Sequence, residues 1–132
     1  MPLKVLDANL STFDSVFEKF RSEAPDYKAS LILFLADIDS STNLSWCPDC
    51  VRAEPVIYKK LEASSDEIVL LRTYVGDRPT WRNPQNPLRI DSVFKLTGVP
   101  TLISWHNGAI KGRLEDNEAH LEHKIHALVF AE

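Results

Sequence analysis

Residues 30–56 read "SLILFLADIDSSTNLSWCPDCVRAEPV". The run from Leu31 to Ala36 is apolar at every position. It is too continuous for a strand with one wet face, so it predicts a strand buried on both sides. A polar stretch, "DSSTNLS", follows as a loop. Cys47 and Cys50, the chain's 2 cysteines, then open "CPDCVRAEPVIYKKLEAS", where Val56, Ile57 and Leu61 share one helical face. The unit is strand, loop and helix, with both thiols at the junction of loop and helix.

That placement has chemical consequences. Cys47 falls at the N-cap, Pro48 at the first helical position, and Asp49 and Cys50 within the first turn. Proline suits this position because its missing N–H would have no partner there and its φ is already helical. The free N–H groups and the positive end of the helix dipole then face the Cys47 sulfur and favour its thiolate, the form that attacks disulfides. Cys50, about one turn on and deeper, is placed to resolve a mixed disulfide. Asp49 works against Cys47, because its negative charge disfavours a nearby thiolate. Pro55, five residues after Cys50, either bends the helix or ends it.

Two other uses of the cysteines are weaker. A bridge between Cys47 and Cys50 closes a very small loop and so adds little stability. A structural zinc site usually takes four ligands, and there is no second Cys-x-x-Cys. His120, His123 and His126 are spaced by three, which drifts around a helix, and their glutamate neighbours suggest a solvated surface. No metal is expected.

Upstream, "LKVLDAN" reads as a first strand, and "STFDSVFEKFRSEA" as a helix burying Phe13, Val16, Phe17 and Phe20 with Ser11 or Thr12 as N-cap. Downstream, "EIVLLRTYVG" is a second buried strand, and "DRPTWRNPQNPLRID" carries three prolines with little periodicity. "SVFKLTG" reads as a short helix stopped by Gly98. "VPTLISWHNGAIKGRLED" is a hairpin about Asn107-Gly108, and "NEAHLEHKIHALVFAE" a closing helix. Alternation favours parallel pairing early and the hairpin antiparallel pairing late. The expectation is one α/β domain over residues 1–132, with a central mixed β-sheet flanked by helices on both faces.

Composition bounds the function. The 132 residues are 44% hydrophobic and 26% charged, with a net charge of −4, which offers no basic footprint for nucleic acid. Leu31–Ala36 is the longest apolar run, far short of the roughly 20 residues of a membrane span. "MPLKVLDANLSTF" lacks the basic and apolar regions of a secretory signal. The cytoplasm is therefore the expected compartment, where thiols stay reduced and catalytic disulfides are transient. A monomer is expected.

"SWCPDC" followed by "AEP", "VGDRPTW", "NP" and "GVPTL" resembles the thioredoxin superfamily, and within it the cytosolic thioredoxin-related proteins of the Clot type. The resemblance extends over nearly the whole chain. It implies a thioredoxin-like fold in which Pro100 is cis and faces the cysteines, Val99 and Thr101 border the substrate groove, and Trp46 lies on its rim. It implies a disulfide reductase acting through a redox-active Cys47–Cys50 disulfide, with no bound cofactor. Electrons would come from NADPH through thioredoxin reductase as partner. Substrates would be small or exposed disulfides such as cystine, with nitrosylated or persulfidated cysteines as a further class and bulky protein disulfides poorly served.

The chain departs from ordinary thioredoxin in two places. The buried aspartate that assists the resolving cysteine there corresponds here to Leu33, which leaves water, Asp37 or Asp39 to accept the proton. Residues 77–91 are much longer than a simple connection and, with residues 37–45, either wall the site and exclude large partners or simply pack on the surface; Trp81 either anchors its loop or touches substrate. Beside the reductase stands a non-enzymatic reading, a thioredoxin-like binding or redox-sensing module. An oxidase or isomerase would require an oxidising compartment, and glutathione is an alternative source of electrons.

Overall fold

In a computed structural model, which describes residues 3–130, twelve helices and strands follow in order. They are β1 (Leu3–Ala8), α1 (Phe13–Glu23), β2 (Ala29–Leu35), β3 (Ile38–Asp39), β4 (Leu44–Ser45), α2 (Pro48–Glu62), β5 (Ile68–Tyr74), α3 (Arg78–Arg82), α4 (Pro87–Ile90), β6 (Thr101–His106), β7 (Ala109–Leu114) and α5 (Glu122–Phe130). One turn of 3₁₀ helix, Ala24–Asp26, closes α1. The main sheet has 5 strands in the order β1-β5-β2-β6-β7. β5 pairs in parallel with β1 and β2, while β6 pairs antiparallel with β2 and β7. The mixed sheet flanked by helices follows the sequence reading.

Every residue from Leu31 to Ala36 is 0% exposed, as a central strand covered on both faces requires. On one face Phe34 packs with Phe13 and Phe94, while Phe17 and Trp105 meet edge to face at 5.4 Å. Side chains alternate along a strand, so Leu33 and Leu35 face the opposite way. Thr12 occupies the N-cap position of α1, but its hydroxyl bonds to Asn9 and not to the helix. The β6–β7 turn has Asn107 at φ 52° and Gly108 at φ 78°, the paired positive φ values of a tight hairpin turn.

The sequence reading needs correction in four places. Residues 37–45 contain a second, two-stranded sheet in which Ile38 pairs with Ser45. The proline-rich stretch forms α3 and α4, capped by Asp77, whose side chain accepts from Thr80 N–H, and by Asn86, which accepts from Leu88 N–H. "SVFKLTG" is no helix: Asp91 Oδ1 accepts the N–H groups of Val93 and Phe94, and Lys95 turns to φ 45° while Phe94 is buried. The closing helix starts at Glu122, after turns in which Glu118 and Ala119 both donate to the Glu115 carbonyl. Its expected last residues, 131 and 132, lie outside the described part. Pro55 does not end α2, which runs on to Glu62.

The long connection is fastened from within. Asn86 is 2% exposed, and its Nδ2 donates to the carbonyls of Val75 and Thr80. Trp81 is buried, with the Arg89 guanidinium 3.8 Å from its ring centre and Arg89 Nε donating to its carbonyl. Trp81 is thus an anchor for its loop. Replacing Asn86 with Ala strands two buried carbonyls and one amide, so urea unfolding should show a loss of about 3 kcal/mol. A loss below about 1 kcal/mol would mean the connection is not held by this residue.

Candidate functional site

β2 ends at Leu35, and its antiparallel partner β6 begins with Thr101 opposite Phe34. That register brings the residues just before β6 to the same end of the sheet as the start of α2. The Val99–Pro100 peptide there is cis, and the Val99 carbonyl lies 3.5 Å from Cys47 Sγ. Cys47 is the N-cap of α2, in an extended conformation at φ −99° and ψ 112°. Its sulfur accepts the Cys50 N–H at 3.2 Å. Both cysteines are free thiols and buried, Cys47 at 7% exposure and Cys50 at 0%.

The electrostatics of the two sulfurs diverge. The Cys47 thiol is lowered to about 7, first by the hydrogen bond from the Cys50 thiol and then by the backbone N–H groups of Cys50 and Asp49. Burial and the Asp49 carboxylate oppose this lowering. Asp49 is paired with Arg52 at 3.2 Å in solvent, which weakens its effect. Cys50 is pushed far up, because it gives its proton to the Cys47 sulfur and because it is buried. Cys47 is therefore the thiol that loses its proton first, while Cys50 holds its own.

The other residues singled out from the sequence fall as follows. Trp46 lies half-buried beside Cys47; its indole donates to the Gly76 carbonyl at 3.1 Å, and the Arg78 guanidinium sits 5.0 Å from its ring centre. Pro48 is the first residue of α2 and is exposed. Val99 approaches Cys47 through its carbonyl, with its side chain buried. Thr101 does not border the groove with its side chain: it is 0% exposed and donates to the Gly98 carbonyl at 2.7 Å. Asp37 is committed elsewhere, accepting Gly76 N–H at 3.0 Å, and Asp39 accepts from Ser41 in its own turn. Neither carboxylate is aimed at Cys50.

Sequence reasoning missed Gly76, Arg78 and also Ser45, whose Oγ accepts the Cys47 N–H at 3.3 Å and donates to the Ala36 carbonyl at 3.0 Å. Gly76 has φ 113°, and a Cβ there would stand 2.6 Å from Thr80, so only glycine can present its N–H to Asp37 and its carbonyl to Trp46. Arg78 donates to the Trp46 carbonyl and so ties α3 to the motif. A groove of about 450 Å³ opens at the start of α2, lined by Leu44, Trp46, Pro48, Val51, Asp39 and Arg78, with neither cysteine in its walls. A larger cleft of about 820 Å³, with Arg21, Tyr27, Trp105 and Lys111 among its walls, includes neither cysteine. The smaller groove is the one whose walls include Trp46 and Pro48, the chain neighbours of Cys47. Among the described residues no three His, Cys, Asp or Glu side chains gather to hold a metal. His123 and His126 lie exposed on α5, whereas His120 precedes the helix and buries its Nδ1 without a partner.

Residues 9–132 match the thioredoxin domain of the thioredoxin domain-containing protein 17-like family. The chain belongs to that family. The Thioredoxin-like protein Clot of Arabidopsis thaliana is 59% identical over 95% of this chain and 94% of the relative. The Thioredoxin-like protein Clot of Oryza sativa subsp. japonica is 52% identical over 99% of both. Thioredoxin domain-containing protein 17 of Mus musculus is 35% identical over 73% of this chain and 80% of its own. The crystal structure of oxidised thioredoxin O1 from Arabidopsis thaliana superimposes with a TM-score of 0.61 at 16% identity, over 97% of each chain. This likeness supports the thioredoxin fold at the level of architecture. Among the described residues no helix is long and apolar enough to cross a membrane.

Two expectations concern ionisation. The rate of Cys47 alkylation should rise with pH to a plateau, with its midpoint near 7, since only the thiolate reacts. Asp49→Asn should move that midpoint down by a fraction of a unit, because it removes a charge that opposes the thiolate. A midpoint that stays in place or rises would show that Asp49 does not act on Cys47.

Proposed function

We propose that this protein is a thiol–disulfide oxidoreductase that reduces small or exposed disulfides such as cystine. The observation that carries the reading is the Cys47 sulfur at the start of α2, receiving the Cys50 N–H at 3.2 Å and lowered to about 7, so that much of it is thiolate near neutrality. Family membership supports the general kind of chemistry.

Cys47 is the nucleophile. Its thiolate attacks one sulfur of a substrate disulfide lying against the Val99 carbonyl and Trp46. A bond forms between Cys47 and that sulfur, the substrate S–S bond breaks, and the other half leaves as a thiolate that takes up a proton. Cys50, the resolving residue, then attacks Cys47 Sγ and releases the second half, leaving the Cys47–Cys50 disulfide. Two electrons from NADPH, delivered by thioredoxin reductase, restore the dithiol; the chain supplies no bound cofactor for this cycle. Trp46, Pro48 and Asp49 tune the nucleophile, and the cis Val99–Pro100 peptide holds the Val99 carbonyl against its sulfur.

Substrate size follows from access. Cys47 is 7% exposed, and the groove walled by its neighbours Trp46 and Pro48 is about 450 Å³, edged by the β3–β4 hairpin and by Arg78 of α3. An amino-acid disulfide fits such a site more easily than a disulfide set in a folded surface. The reducing cytoplasm is the compartment where this direction of exchange is favoured.

NADPH consumption with thioredoxin reductase tests the reading, using cystine and insulin as parallel substrates. Turnover on cystine well above that on insulin is expected. Cys47→Ser should fall to background, and Cys50→Ser should accumulate a mixed disulfide visible by mass. Absence of turnover on both, with glutathione also failing to recycle the protein, would favour the binding or redox-sensing module.

A further inference from the structure

The groove at the start of α2 combines apolar walls with one charge of each sign. Leu44, Trp46, Pro48 and Val51 supply the apolar part, and Leu44 is left 54% exposed. Asp39 and Arg78 are the only charged side chains that line it. Asp39 stands opposite Leu44 across the β3–β4 pair, so the two share one face of that hairpin. Its Oδ1 accepts both the N–H and the hydroxyl of Ser41, and Oδ2 takes no hydrogen bond from any described residue. Those two bonds hold its carboxyl below the usual carboxylate range, so it is an anion at neutral pH. Arg78, on the other insert, donates through Nη2 to the Trp46 carbonyl at 3.0 Å, while Nε and Nη1 have no partner among the described residues. No ion pair joins Arg78 to Asp39, so each keeps bonding capacity in the same groove.

We propose that this groove seats the head group of an amino-acid disulfide, with Arg78 receiving the α-carboxylate and Asp39 the α-ammonium. The inference rests on the oxidoreductase reading and says which feature of a small disulfide the site selects. A free amino acid carries one charge of each sign on neighbouring atoms, with a short methylene arm leading to its sulfur. The groove offers the complementary pair of charges and an apolar surface for the arm. Charge-assisted bonds to both ends fix the orientation of the head group as well as its affinity. The reach to the nucleophile is short. Trp46 and Pro48 are joined to Cys47 by trans peptides, which set their α-carbons about 3.8 Å from its own. The two α-carbons of a disulfide lie roughly 5.5 Å apart. A head group seated beside Trp46 and Pro48 thus lets its disulfide extend to Cys47. A cystine bridge inside a folded protein has its amino and carboxyl groups tied up in peptide bonds and presents neither charge. Charge, as well as size, therefore favours free amino-acid disulfides here.

Second-order oxidation of the reduced protein by four disulfides tests this, read as the loss of free thiols by alkylation and mass. Cystine carries both charges, cystamine only the ammonium, 3,3′-dithiodipropionate only the carboxylate, and bis(2-hydroxyethyl) disulfide neither. Each rate constant is divided by that for the neutral compound, which cancels a general loss of thiol reactivity. In Arg78→Ala the ratios for cystine and dithiodipropionate should fall about fivefold, and the ratio for cystamine should not fall. In Asp39→Asn the ratios for cystine and cystamine should fall about fivefold, and the ratio for dithiodipropionate should not. Ratios that stay in place in either variant overturn the inference. So does an equal fall in all three, which marks lost shape and not lost charge. If the neutral disulfide oxidises the unaltered protein while the ratios fail to move, this inference alone is removed. If none of the four oxidises it, the oxidoreductase reading falls and takes this one with it.

Discussion

The hydrogen bond from Cys50 N–H to Cys47 Sγ exists because a helix must begin somewhere with unpaired amides, and here it begins on a cysteine. Cys47 has to be extended to cap α2, and Pro48 can follow only because the first helical position needs no N–H. The helix start must also lie at the end of the sheet where Val99 arrives. The antiparallel pairing of β2 with β6 provides this by setting Phe34 against Thr101. Changing any of these would leave the thiols in place in the sequence but without their electrostatic setting.

The two inserted segments are part of that setting. Gly76 joins them, accepting the Trp46 indole and donating to Asp37, while Arg78 reaches the Trp46 carbonyl. Asn86 and the Arg89–Trp81 stack hold the far end of the longer insert to the body. Both segments are therefore braced against the body of the protein around Trp46.

Much of this was legible in the sequence, for reasons that are local. The run Leu31–Ala36 has no polar residue to place in water, and Asn107-Gly108 suits the positive φ values of a tight turn. Cys47 and Cys50 were legible through helix-start chemistry that acts within four residues. The inserts were not, because three prolines mask the apolar periodicity. Their capping signals, Asp77 before Arg78-Pro79-Thr80 and Asn86 before Pro87-Leu88, were present but span only a single turn each. The helix expected over "SVFKLTG" stops after one turn: Asp91 caps its first amides, and Lys95 then takes φ 45°, which ends it. Ser45 could not be found from spacing, since its importance comes from Ala36, nine residues back and across the hairpin.

The strand order leaves β1 and β7 at the two edges of the sheet, where unpaired backbone groups would invite another chain to add itself. β1 carries Lys4, paired with Glu23, and Asp7, paired with Arg72; β7 carries Lys111 and Arg113. A strand docking on either side would have to desolvate these charges. The same ionic borders therefore act as a guard against aggregation, keeping the sheet at five strands.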